Sequence, residues 1–76
     1  MVFVDIRIPQ LAKTYDFRLD EKTETAVLIR QTSVILFGKE VQGALFDLTQ
    51  KQILCGNRTL TGQGTVSGHT LLLLFI

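Results

Sequence analysis

The sequence predicts an α+β fold, a mixed five-stranded sheet with one helix packed on one face. Three observations carry this. The chain ends in Thr70-Leu71-Leu72-Leu73-Leu74-Phe75-Ile76, a short unbroken apolar run that follows the turn signal Ser67-Gly68. Its six apolar residues fall well short of the roughly 18 that a membrane span needs, and fit a strand apolar on both faces. Two strictly alternating stretches, Val2–Ile8 and Thr14–Leu19, are joined by a short link. After Asp20 the apolar period changes from two residues to the helical one.

Each element has its own reason. In Val2-Phe3-Val4-Asp5-Ile6-Arg7-Ile8, Val2, Val4, Ile6 and Ile8 share one face, and Phe3, Asp5 and Arg7 share the other, so this is a half-buried strand. Pro9 lacks an N–H and closes it. Tyr15, Phe17 and Leu19 then point inward, with Thr14, Asp16 and Arg18 outward, and a link as short as Gln10 to Lys13 makes the two strands an antiparallel hairpin. Asp20, Glu21 and Glu24 gather where a helix N-terminus favours negative charge, with Thr23 or Asp20 as the N-cap. Thr25, Leu28, Ile29, Thr32, Ile35 and Leu36 fall in a stripe about 120° wide, and Gly38 supplies the stop. Val27, Val34 and Phe37 lie outside the stripe, and most of them are expected to be partly covered by the flanking segment.

Ala44–Leu48 reads as a third strand, Thr49–Gln52 as a polar turn, and Ile53-Leu54 as the start of a short fourth. Two registers fit this hairpin: Leu45 inward, or Phe46 and Leu48 inward. Gly56-Asn57 marks a turn, and Leu60 and Val66 are expected in the core. The final strand must take a central place beside the first and parallel to it, since only there does apolarity on both sides make sense. The strand order is then second, first, fifth, third, fourth.

Composition bounds the function. The chain of 76 residues is expected to form one domain. It is 46% hydrophobic and 20% charged, which is globular, and its net charge of +1 with interspersed signs gives no basic stripe for nucleic acid and no polybasic membrane patch. No signal peptide is visible in Met1-Val2-Phe3-Val4-Asp5, and the single Cys55 excludes an internal disulfide, so a cytoplasmic protein with no direct membrane insertion is expected.

The strand order together with Leu54-Cys55-Gly56-Asn57-Arg58-Thr59-Leu60 and Ser67-Gly68-His69-Thr70-Leu71 resembles the ubiquitin-like β-grasp. Pro9, Thr14-Tyr15-Asp16-Phe17-Arg18-Leu19-Asp20, Leu45-Phe46-Asp47-Leu48, Ile53-Leu54, Thr59-Leu60, Gly64 and Gly68 are similar to the YukD/EsaB-like family of bacterial ubiquitin-like proteins. The chain departs from that pattern at His69, where an acid is usual, and at Thr65-Val66, where isoleucine would follow Gly64 directly. The resemblance implies a non-conjugating accessory protein of a type VII secretion system, with a membrane-associated component or the secretion ATPase as partner.

Chemistry is mostly refused by the residues. Conjugation or sulfur carriage requires a thin glycine tail that can enter a cleft, and Phe75-Ile76 offers a bulky apolar end. Cys55 has no oriented base and reads as a small apolar filler, while His69 reads as exposed in a turn. One His and one Cys fall short of a metal site, and Gly62, Gly64 and Gly68 lack the spacing and the following helix of a phosphate loop. No catalytic residue, cofactor or metal is expected. What remains is a surface. Phe3, Leu72, Leu74 and Ile76 fall on the sheet face away from the helix, joined by Phe46 or Leu45 according to register. Phe3, Phe46, Leu72, Leu74 and Ile76 are the predicted docking residues, expected to be contiguous, with Asp5, Arg7, Lys51 and His69 as a polar rim. The occupant is a protein of the secretion system or, alternatively, a second copy in a homodimer. A modifier or sulfur carrier lacking its tail, or a cytosolic module of a larger secretion membrane protein, is the alternative role.

Overall fold

The computed structural model describes residues 1–76. Its strands are β1 (Val2–Ile8), β2 (Lys13–Leu19), β3 (Gly43–Asp47), β4 (Gln52–Ile53) and β5 (Thr70–Phe75), with one helix, α1 (Thr25–Phe37), between β2 and β3. The sheet order is β2-β1-β5-β3-β4, with β5 parallel to β1 and antiparallel to β3. This is the predicted topology. Alternation decides the two sides. Val2, Val4, Ile6 and Ile8 from β1, with Leu71, Leu73 and Phe75 from β5, are buried against Leu28 and Ile29 of α1. Leu45 is fully buried too, which selects the register with Leu45 inward and Phe46 outward.

β5 runs past the end of its pairing with β1. The ladder covers only Asp5–Arg7 against Thr70–Leu72. Beyond it the Gln10 side chain takes over: its amide donates to the Phe75 carbonyl at 2.6 Å and accepts from the Phe75 N–H at 2.7 Å. A side-chain amide thus substitutes for the missing strand and leaves neither backbone group unpaired.

The helix begins differently from the expectation. Glu24 is the N-cap and makes no side-chain bond, while Asp20 accepts from Lys22 N–H and caps a turn instead. The first amides of α1 are satisfied from across the molecule: Thr25 and Ala26 N–H donate to the carbonyls of Arg58 and Gly56. Tertiary contacts therefore replace the local cap. The buried stripe also shifts. Ile35 is 79% exposed, whereas Ser33 is fully buried, because its hydroxyl donates to the Arg30 carbonyl and accepts from Val41 N–H, seating the 38–42 link there. Of the residues outside the stripe, Val27 is half-buried, and Val34 and Phe37 remain exposed, Phe37 meeting Phe75 edge-on at 5.0 Å. Val66 is also exposed; its neighbour Thr65 takes the buried place.

Two substitutions test this packing. A Cβ on Gly43 would stand 2.9 Å from the Leu74 carbonyl oxygen and 3.2 Å from Ile29 Cγ2. Gly43→Ala should therefore lose about 1–3 kcal/mol in urea unfolding. Thr32 is buried with its hydroxyl unpartnered. Thr32→Val keeps the shape and removes that group, and should raise stability by about 1 kcal/mol or more by the same measurement.

Candidate functional site

The sheet face away from α1 is the candidate site. Register places its residues in rows. Phe46 pairs with Leu72 on one side and with Ile53 on the other. Leu74 lies one step further along β5, opposite Ala44. Phe46, Leu48, Ile53, Leu72 and Leu74 line one shallow groove, with Lys51 at its edge. Phe46, Leu72 and Leu74 are half-buried, while Leu48 and Ile53 are exposed, Ile53 by 68%.

Three of the five predicted docking residues, Phe46, Leu72 and Leu74, are thus brought together. Phe3 and Ile76 are not. Parallel pairing sets Asp5 beside Thr70 and Arg7 beside Leu72, so Phe3 stands roughly 13 Å back along its strand from the Leu72 row. It lines a different depression with Asp5, Asp16 and Gly68. Ile76 lies past the end of β5. Its N–H donates to the Gln42 carbonyl, and it borders a cleft on the helix side with Ala26, Ile29 and Val41. Simple alternation missed both, because it says nothing of parallel stagger or of where pairing stops. Ile53 and Leu48 line the groove without being among the predicted residues; Ile53 follows once Phe46 points outward.

Next to the apolar half lies a charged half. Asp5 and Asp16 face each other directly across β1 and β2. The hydrogen bond to Asp16, some desolvation and the repulsion between the two carboxylates hold Asp5 above its ordinary carboxyl range, against the pull of Arg7. Neither acid has a cation within ion-pair distance.

The expected polar rim changes at His69. Instead of standing free in a turn, its Nδ1 lies 2.9 Å from Oδ2 of Asp47. Asp47 is fully buried at the end of β3. Its Oδ1 accepts from Thr49 and Gln50 N–H, and its Oδ2 accepts from the Gln50 amide and the Thr65 hydroxyl. Burial pushes the Asp47 carboxyl up, but the bonds from Gln50, His69 and Thr65 outweigh it, and the net shift is downward. An acid two residues before a polar turn is the sequence signal for this Asx-type arrangement. A second hub is Gln63. Its amide donates to Thr25 Oγ1 and to the carbonyls of Cys55, Arg58 and Thr59, and accepts from Cys55 N–H. Cys55 itself is exposed rather than filling the core.

No protein-family model and no curated protein sequence matches the chain. Solved structures do. The ubiquitin-like domain of Plasmodium falciparum Dsk2 superposes with a TM-score of 0.75 at 14% identity, covering 99% of this chain and 97% of that one. The chain has the ubiquitin-like β-grasp fold. The N-terminal ubiquitin-like domain of the 4931431F19Rik protein gives 0.74 at 21% identity over 95% of this chain and 71% of its own. The EccD5 ubiquitin-like domain from Mycobacterium xenopi gives 0.71 at 20%, over 99% and 93%. At these identities the likeness establishes the β-grasp fold and no more.

Asp47→Asn keeps one acceptor oxygen but turns an NH2 toward donors. It should cost about 1–3 kcal/mol in denaturant unfolding. The depressed Asp47 carboxyl also sets a sign. Its contribution is fully present above its unfolded value near 3.8 and is lost as pH falls through the lower folded value. Acid titration of stability should therefore show a step below that value which Asp47→Asn removes.

Proposed function

We propose that this protein is a non-enzymatic, cytoplasmic ubiquitin-like adaptor of a type VII secretion system, which docks a protein component of that system on its open sheet face. The contiguous apolar groove of Phe46, Leu48, Ile53, Leu72 and Leu74 carries the docking half of this reading. A small domain gains nothing in its own core from large side chains on that side, whereas a grouped apolar surface with a polar edge is what protein association desolvates. The secretion half rests on the likeness of the Thr14–Asp20, Leu45–Leu48 and Thr59–Leu60 segments to the YukD/EsaB-like family. The EccD5 ubiquitin-like domain among the fold neighbours is in keeping with it. No helix is long and apolar enough to cross a membrane, so a membrane-associated partner would be met through protein contact.

Tagged protein cross-linked in its host should recover a secretion-system component, and Leu72→Asp and Ile53→Asp should each lose that recovery while circular dichroism stays as in the parent, with melting unchanged for Ile53→Asp. Ile53 is the safer of the two for the fold, being the more exposed. Placing a charge at the centre of such an interface should cost about 2 kcal/mol or more, roughly thirtyfold in affinity. Equal recovery by both variants would sink the docking reading, and recovery of no secretion-system protein by the parent would sink the secretion reading.

A further inference from the structure

We infer that, without a partner, the open sheet face is occupied by a second copy of this chain, the two copies related by a two-fold axis in the interface that runs along β5. The charges on this face are self-complementary. Asp16, Asp5 and Thr70 lie side by side across three strands. The row continues on the far side of β5, because Leu48 N–H donates to the Thr70 carbonyl and Asp47 pairs with both Leu71 and Gln52, which sets Lys51 at the level of Leu48. A single row thus carries two acids on one flank and a lysine on the other, with β5 midway between them.

A two-fold rotation about β5 exchanges the flanks and keeps the height. It sets Asp16 and Asp5 of one copy against Lys51 and Leu48 of the other, twice over. In the next row, Arg7 and Leu72 are neighbours and Phe46 follows. The same rotation brings Leu72 onto Leu72 and lays Arg7 over Phe46 of the second copy, a favourable cation–aromatic contact. No like charges meet. The exposed Asp5–Asp16 pair, unpaired within the chain, gains its cation. An aligned face-to-face packing of sheets is a standard arrangement, and isologous two-fold contacts are the commonest way a chain meets itself.

The area is sufficient but not generous. The chain exposes 4737 Å². One face of a roughly box-shaped body is about one sixth of that, or about 800 Å² per copy, the usual size for a specific contact. With half of the face charged, the dimer is weak and concentration-dependent. It covers the groove assigned to the partner, so dimer and complex exclude each other. The inference concerns the chain alone and does not rest on the secretion reading.

Sedimentation velocity on the purified chain, from low micromolar to near-millimolar, tests it. The parent should pass from monomer to dimer. Lys51→Glu and Asp16→Lys are both at exposed positions. Each should weaken the dimer tenfold or more, since each sets like charges together twice. An equimolar mixture of the two should restore association to within a few-fold of the parent, because both cross-copy pairs are then opposite in sign. A parent that stays monomeric throughout, a dimer indifferent to both reversals, or a mixture no tighter than the single variants would each overturn the proposal. None of these outcomes bears on recovery of a secretion component in cells.

Discussion

The sheet depends on bringing β5 to its centre, and the segment that does so has almost no regular structure. A strand parallel to β1 cannot arrive by a hairpin; it needs a crossover. Between Ile53 and Thr70 that crossover contains only a short 3₁₀ turn, Thr61–Gln63. Backbone groups in such a stretch have no ladder to join, and each buried one must find a partner. The buried polar side chains supply them. Gln63 gathers the carbonyls around Cys55–Thr59 and ties them to Thr25 at the start of α1. Asp47 gathers Thr65 and His69 at the other end of the crossover. The same loop supplies the carbonyls that cap α1, so helix start, crossover and central strand are one hydrogen-bonded unit.

That division explains what could be read from the sequence. Strand alternation in Val2–Ile8 and the doubly apolar Leu71–Phe75 are backbone-geometry signals, and they gave the layer order and the topology. The register of β3 was ambiguous because Leu45, Phe46 and Leu48 offer apolar residues to both faces; the fully buried Asp47 resolved it in a way hydrophobicity argues against. Gln63 and Thr65 look like loop residues in a polar stretch. Nothing short of the tertiary structure shows that the loop folds inward around them, and Val66 loses its expected core place for the same reason. Thr65 and His69, both in that polar stretch, are the two residues of the crossover's far end that bond to Asp47.

On the open face, composition was legible and arrangement was not. The residue types that make the groove were visible in the strand pattern. The stagger of a parallel pair and the end of a ladder were not, and these remove Phe3 and Ile76 from the groove while Ile53 and Leu48 enter it. The face is consequently lopsided, apolar over β5, β3 and β4 and charged over β1 and β2.

The buried acid and the exposed groove are mechanically joined. Lys51 sits in the left-handed backbone region at φ 57°, unusual for a residue with a side chain. It is held there because the turn before it is pinned from below: Thr49 and Gln50 N–H both donate to Asp47 Oδ1, and Thr70 N–H donates to the Thr49 hydroxyl. Leu48, fixed to the Thr70 carbonyl, is set in the same way. The groove's outer wall and its flanking cation are therefore positioned by an interior carboxylate that no partner could touch. A change at Asp47 should alter the open sheet face without altering any residue on it, by freeing a turn whose geometry the solvent side does nothing to enforce.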